Sequence, residues 1–305
     1  MSKVLITGAT GFIGGWLLRH LSSKGHAIIA HGSSKESINH LKGILEKEEI
    51  NLENIEFWEQ NFLKKEWNFP AKISDINAII HTAAATRVRT GVIDNYDDYF
   101  KLNVICPKIL AKKALEINVK HFIHLSTDQV FGISEKFPIT ENTPKKPINL
   151  YGSTKLMGEQ VVTSLGLLGL RYTITRPFSV YGHGHYNIIS IFTDKIVKND
   201  TITIYGDGSQ SRAFSHVIDF CRAIELILYN EKCYSEEFNI SGKKEYSVNN
   251  IVQLISNSLN IKPNIEYKQP IVNEIKRIIA DLSKIRKLGF EPTKSLEDFI
   301  KNDLL

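Results

Sequence analysis

Tyr151 and Lys155, in the run Tyr151-Gly152-Ser153-Thr154-Lys155, stand four residues apart. On a helix that spacing puts both side chains on one face, one turn apart. An ammonium beside a phenol stabilises the tyrosinate, so Lys155 is expected to lower the Tyr151 pKa towards the range of a general acid or base. Upstream, the β-rich run His121–Ser126 ends in Ser126-Thr127-Asp128-Gln129. Its end faces the crevice where open α/β sheets bind ligands, and Thr127 is placed to hydrogen-bond a substrate hydroxyl or ketone.

The N-terminus supplies a place for a cofactor. Gly8-Ala9-Thr10-Gly11-Phe12-Ile13-Gly14 directly follows a strand and opens an amphipathic helix. Gly8 permits a sharp bend, Gly11 lets the backbone approach a pyrophosphate, and Gly14 lets helix pack on strand. The helix N-terminus then offers free N–H groups and partial positive charge. The end of the second strand chooses between dinucleotides, because an acid there would read the adenosine ribose hydroxyls and repel a 2′-phosphate. This chain instead runs Ile28-Ile29-Ala30-His31 into Gly32-Ser33-Ser34-Lys35. Ser33, Ser34 and Lys35 favour a 2′-phosphate, so NADP(H) is preferred, with NAD(H) the alternative because Glu36 follows closely.

The elements that position these residues alternate between strand and helix. Strands are predicted at Val4–Thr7, Ala27–Ala30, Ile55–Glu59, Ala78–His81, His121–Ser126 and Tyr172–Arg176, with helices at Ile13–Lys24 and Asn103–Asn118. That alternation predicts an α/β fold, a doubly wound parallel sheet of Rossmann type. After Pro177 the texture changes: a loop at Gly182–His185, a helix over Asn187–Lys198, a strand over Thr201–Tyr205, a turn at Gly206–Gly208, a helix over Val248–Leu259 and a polar helical tail.

Composition excludes several classes. The 305 residues suit one large domain with a smaller companion. A net charge of +5 is spread over scattered lysines rather than a basic run, so no nucleic-acid or membrane partner is expected. The three cysteines, Cys106, Cys221 and Cys233, have no metal-ligand spacing and read as free thiols, with no metal site. No apolar stretch approaches the ~20 residues of a membrane span. Lys3–Thr7 runs straight into a strand with no charged-then-apolar leader, and the expectation is a cytoplasmic protein.

Taken together, these motifs resemble the extended short-chain dehydrogenases/reductases, specifically the NAD-dependent epimerase/dehydratase group acting on nucleotide sugars. The resemblance runs through Thr7–Gly14, His81-Thr82-Ala83-Ala84, Asn103, Ser126-Thr127 and Tyr151-x-x-x-Lys155. It continues in Arg176-Pro177-Phe178-Ser179-Val180-Tyr181-Gly182, in Tyr205–Arg212, in Phe238–Gly242 and in Ala280-Asp281. It implies hydride transfer at a sugar carbon, with Tyr151 exchanging a proton, Thr127 orienting the oxygen and Lys155 also holding the nicotinamide ribose. Ala83, Ala84 and Pro177 would lie along the cofactor. Asp128, Gln129, Ser179, Tyr205 and Arg212 would meet a nucleotide-diphosphate sugar, and a guanidinium such as Arg212 suits a diphosphate geometrically. Arg87 and Arg89 read either as substrate contacts or as solvated charges. The implied organisation is a dinucleotide-binding domain of residues 1–178 plus about 213–240, with a substrate domain of 179–212 and 241–305. A homodimer through the Asn103 and Tyr151 helices is expected by the same analogy.

Departures from the family pattern narrow the chemistry. Dehydratases of the group carry Thr-Asp-Glu where this chain has Thr127-Asp128-Gln129, and Gln129 cannot abstract a proton, although Asp128 remains as an acid. Ser179 replaces an asparagine, and Ile271 stands where an arginine is often found. Two enzyme readings stay open, a 4-ketoreductase spending NADPH and a 4-epimerase retaining NAD, with the reductase preferred. A non-catalytic dinucleotide-binding regulator is the third, disfavoured by the intact Tyr/Lys pair.

Overall fold

Runs of branched aliphatic residues that are apolar at every position suit strands buried on both faces. The computed structural model describes residues 2–86, 96–272 and 274–304. It opens with β1 (Lys3–Thr7), α1 (Phe12–Ser23), β2 (Ala27–Gly32), α2 (Lys35–Lys47), β3 (Ile55–Glu59) and β4 (Ala78–His81). Then come α3 (Tyr96–Phe100), α4 (Cys106–Glu116), β5 (His121–Leu125), α5 (Leu150–Gly166) and β6 (Tyr172–Pro177). Short β7 (Val180–Tyr181), α6 (Ile188–Val197), β8 (Ile202–Tyr205), β9 (Ser211–Ala213) and β10 (Ser215–His216) lead to α7 (Val217–Ile227) and β11 (Glu236–Ile240). The chain ends with β12 (Glu245–Ser247), α8 (Val248–Leu259), β13 (Ile265–Lys268), β14 (Arg277–Ile278), α9 (Ser283–Arg286) and α10 (Leu296–Asn302).

Seven strands form one sheet in the order β11-β6-β5-β4-β1-β2-β3, and every pairing in it is parallel. The two-residue side-chain period divides the core. Val4, Ile6, Ile28 and Ile123 pack with Leu17 and Leu21 of α1 and Phe220 and Ile224 of α7. Their neighbours Leu5, Ile29 and Phe122 pack on the other face with Leu110 of α4 and Val162 of α5. Successive strands run outward in one direction from β1 to β3 and in the other from β4 to β6. The strand order therefore reverses between β1 and β4, the place where such sheets open a ligand crevice.

The expected helix over Asn103–Asn118 is present but not uniform. Lys101–Ile105 form a π-helical turn before α4. Pro107 explains it, since proline cannot donate to the carbonyl four residues back and crowds it. The Asn103 carbonyl instead lies where a Cβ on Gly158 would come within 2.3 Å, so α5 packs closely only because residue 158 is glycine.

A third apolar cluster joins α6, α8 and α10 through Ile189, Phe192, Ile251, Ile255, Leu296 and Phe299. The tail expected to be polar thus buries Leu296, Phe299 and Ile300, spaced three and four apart. The smaller sheets are β12-β9-β14, β13-β8 and β10-β7. Among the described residues no helix is long and apolar enough to cross a membrane, and all three cysteines are buried and free.

Candidate active site

A cleft of about 710 Å³ opens at the C-terminal ends of β1, β4, β5 and β6. Gly8, Thr10, Gly11, Phe12, Ile13, Gly14, Ser33, Ala83, Ala84, Thr127, Asp128, Gln129, Tyr151, Pro177 and Ser179 all line it. Residues scattered from position 8 to position 179 thus share one cavity.

The glycine turn is built for close approach. Gly8 sits at φ +70°, and a Cβ there would lie 2.9 Å from the Ala83 backbone. A Cβ on Gly14 would come within 2.2 Å of the Gly8 carbonyl. Gly11 is the N-cap of α1, and no side chain caps that helix. By contrast Ser34, Asn187 and Ser247 cap α2, α6 and α8. The first-turn N–H groups of α1 have no intrahelical acceptor, so this end of the cleft fits the pyrophosphate of a dinucleotide.

At the end of β2 the expected trio separates. Ser33 lines the cleft. The Ser34 hydroxyl instead accepts from Ser37 N–H at 3.2 Å in a capping box, and Lys35, exposed, starts α2 away from the cleft lining. The residue turned inward is His31. Its Nδ1 accepts from Gly8 N–H at 3.0 Å, its Nε2 donates to the Gln60 carbonyl at 2.8 Å, and its ring stacks on Phe62 at 4.0 Å. Asn61, Phe62 and Leu63, after β3, line the cleft beside it. Among the described lining residues the only acid is Asp128.

The end of the cleft that carries Thr127 and Tyr151 is held by α5. Asn149 caps that helix, its Oδ1 accepting from Gly152 N–H at 2.7 Å, while its Nδ2 donates to Gln129 Oε1 at 3.2 Å. Gln129 Nε2 donates in turn to Asp128 Oδ1 at 3.0 Å, which also accepts from the Thr127 hydroxyl at 3.2 Å. A Cβ on Gly152 would lie 2.4 Å from the Gln129 carbonyl, so glycine after Tyr151 lets the helix start sit against the end of β5. Behind it, Asn103 Nδ2 donates to Thr154 Oγ1 and to the Ala85 carbonyl, both at 3.0 Å, and Asn103 Oδ1 accepts from Ala85 N–H at 2.9 Å. That buried amide ties α5 to the segment carrying Ala83 and Ala84.

The electrostatics differ from the expectation for Tyr151. Burial pushes its phenol up to about 12, and the Asp128 carboxyl adds to the rise, while the Thr127 hydroxyl opposes it. Lys155 does not offset this. It is 2% exposed, and its Nζ donates to the Leu125 carbonyl at 2.5 Å. Burial pushes its own pKa down to about 8, with Glu159 pulling it back up. Burial likewise raises the Asp128 carboxyl, moderated by Gln129, by the charge of Arg212 and by Thr127.

Around this centre, Ser179 sits at φ +33°, a left-handed conformation that asparagine tolerates better than serine. Tyr205 lines a second groove of about 970 Å³ with Gln210, Tyr267, Lys268 and Glu274. Arg212 donates to the carbonyls of Ser211 and Ile275, and its charge reaches Asp128. Arg176, in the segment expected to run from nicotinamide to substrate, is fully buried. It makes two hydrogen bonds to Glu159, at 2.8 and 2.7 Å, and one to Glu237 at 2.8 Å, so its partners are internal. His185, not singled out from the sequence, stacks on Phe12 with ring centroids 4.2 Å apart and closes one side of the glycine turn. Arg87 and Arg89 lie outside the described residues. Among the described residues no group of His, Cys, Asp or Glu is arranged to hold a metal.

Parallel sheet, glycine turn and reversal of strand order define an α/β dinucleotide-binding fold. The chain belongs to the NAD dependent epimerase/dehydratase family, whose model it matches over residues 4–241. A Methanocaldococcus jannaschii protein provisionally named as a UDP-glucose 4-epimerase is 30% identical, over 98% of this chain and 96% of its own length. The UDP-glucuronate 4-epimerase of Thermodesulfobacterium geofontis is 28% identical, over 99% of this chain and 94% of its own. The Bacillus cereus UDP-glucuronic acid 4-epimerase, solved with UDP-glucuronic acid and NAD, superposes with a TM-score of 0.87 at 26% identity, covering 99% of this chain and 98% of that one.

Proposed function

We propose that this protein is a nucleotide-sugar 4-ketoreductase: it reduces the C4 carbonyl of a nucleoside-diphosphate hexose with NADPH. One observation carries the reading. Thr127, Asp128 and Tyr151 share a cleft with the glycine turn, and among the described residues no carboxylate lines the end of that cleft nearest β2. The glycine turn would hold the dinucleotide through its backbone, and Ser33 would face the 2′-phosphate. When bound, the cofactor supplies the hydride.

This chain's own groups supply the rest. A phenol held near 12 is protonated at neutral pH, the state a ketone reduction needs in its acid. Tyr151 donates its proton to the C4 oxygen, and Thr127 hydrogen-bonds that oxygen and fixes its direction. Lys155, its Nζ on the Leu125 carbonyl, braces the strand end that carries Thr127, and the Asp128 carboxyl stays oriented by Gln129. Arg212 pairs with the diphosphate. The relatives named for UDP-sugars support a nucleotide sugar as substrate. We further read a homodimer through the Asn103 turn that leads into α4 and through α5, where Ile105 and Met157 are exposed; light scattering of the purified protein decides it.

A 4-epimerase that keeps NAD bound is the second reading, favoured by the full-length similarity to proteins named as 4-epimerases. Incubation with NADPH and a nucleotide-linked 4-ketohexose separates the two. The reductase consumes NADPH in proportion to product, and Tyr151→Phe slows it by about 10²–10⁴-fold. Interconversion of 4-epimeric sugar nucleotides with no net cofactor loss would overturn the proposal.

A further inference from the structure

The segment that follows β7 crosses in front of the glycine turn. Gly182 (φ +154°) and Gly184 (φ +82°) bend it back on itself, in backbone regions that other residues enter only with strain. Two contacts pin it to α1: Trp16 Nε1 donates to the His183 carbonyl at 3.3 Å, and the His185 ring lies on Phe12 with planes 7° apart. Phe12 and Trp16 stand one helical turn apart, so both contacts fall on one face of α1. A loop from far along the chain is thereby seated on the helix that the glycine turn opens.

His185 is half-buried there and lines the same cleft as Gly8, Gly11 and Phe12. One of its ring nitrogens is committed: Nδ1 lies 3.0 Å from the Val180 carbonyl and 3.1 Å from Asn187 Nδ2. Asn187 is itself fixed, because its Oδ1 accepts from Ile189 and Ser190 N–H at the start of α6. Nε2 has no hydrogen-bond partner among the described residues. The stack and Nδ1 thus hold the ring, with its second nitrogen unspent, against the first residue of a helix that no side chain caps. An anionic oxygen selects the forms of the ring that carry a proton on Nε2, the neutral tautomer and the imidazolium alike. We propose that His185 is a dinucleotide-binding residue: its Nε2–H donates to a pyrophosphate oxygen, so that backbone N–H groups of α1 hold the ligand from one side and the segment after β7 from the other. This rests on a dinucleotide occupying the cleft, and on neither direction of hydride transfer. The diphosphate of a sugar nucleotide shares the same chemistry; the stack on Phe12 assigns the histidine to the dinucleotide.

The test is calorimetric titration of the full chain with NADPH, NADH, ADP-ribose and UDP, for wild type, His185→Phe, His185→Gln and His185→Ala. Phenylalanine keeps the stack and removes the donor. It weakens both dinucleotides and ADP-ribose by a common factor of about tenfold or more, the loss expected of a hydrogen bond to a charged group. UDP affinity stays within about twofold. Dinucleotide affinity in His185→Phe within about twofold of wild type overturns the proposal, as does a loss that falls on UDP instead. Should His185→Phe fail to fold, the other two variants decide. Glutamine gives up the stack but keeps an amide donor, and holds dinucleotide affinity within about threefold of wild type, while alanine loses about tenfold. Equal losses in these two would leave packing as the ring's whole contribution and refute the donor. A wild type that binds UDP but neither dinucleotide nor ADP-ribose overturns the dinucleotide reading itself and this proposal with it, an outcome seen before any variant is made.

Discussion

Lys155→Met should make the protein more stable at neutral pH while abolishing its activity. The ammonium is almost fully buried and has one hydrogen bond, to Leu125 O. Its pKa is pushed from the ordinary 10.5 down to about 8, which at about 1.4 kcal/mol per decade disfavours the charged form by about 3 kcal/mol. Methionine fills much of the same space and removes that cost. It also leaves the Leu125 carbonyl without its donor, worth about 1 kcal/mol, so the net gain near pH 7 is about 2 kcal/mol. The pH dependence has a definite sign. Between pH 8 and 10.5 the unfolded chain holds the lysine proton and the folded chain has released it, so wild-type stability rises with pH across that window. Urea unfolding of both proteins at neutral pH and near pH 10 checks this, with other titrating groups cancelling in the difference. The expected gap favours the variant at neutral pH and closes as pH rises through 8. A variant less stable than wild type at neutral pH, or a gap that ignores pH, would refute the reasoning.

Other perturbations follow from the same contacts. Gly14→Ala drives a Cβ into the Gly8 carbonyl; we expect dinucleotide affinity to fall by more than about tenfold and stability by about 1–3 kcal/mol, read by fluorescence titration and thermal melts. Glu159→Gln removes one partner of the buried Arg176 pair and should cost about 3 kcal/mol in urea unfolding, the lower end of such losses because Glu237 remains. Gln129→Glu replaces the amide donor to Asp128 with a second carboxyl. The pair then shares a proton, and the pH–rate profile should lose activity on its alkaline side and recover it at lower pH; an unshifted profile would remove Asp128 from the account.

Much of the candidate site's layout was legible because it depends on local spacing. The glycines at 8, 11 and 14 and the Tyr151–Lys155 interval are properties of one turn and one helix, and the strand ends carrying Ala83 and Thr127 follow from the alternation of elements. What escaped depends on partners far along the chain. His31 looks like one more strand residue until Gln60 and Phe62 are beside it. The four-residue interval puts Lys155 on the Tyr151 face but says nothing of depth, and depth decides that burial, not the ammonium, governs the phenol. Ser34 and Lys35 suggested a phosphate pocket, whereas Ser34 is committed to capping α2 and only Ser33 reaches the cleft. Pro107 forces a π-helical turn that periodicity alone does not reveal, and the tail's buried stripe needed α8 and α6 to cover it.

The central claim is a net reduction at C4, and isotope transfer tests it most directly. The protein is incubated with NADPH carrying deuterium at the transferable position and with a nucleotide-linked 4-ketohexose, and the sugar is examined by NMR and mass spectrometry. The account predicts one deuterium at C4 for each NADP⁺ formed. Unlabelled 4-epimers accompanied by an undiminished nicotinamide pool would contradict it.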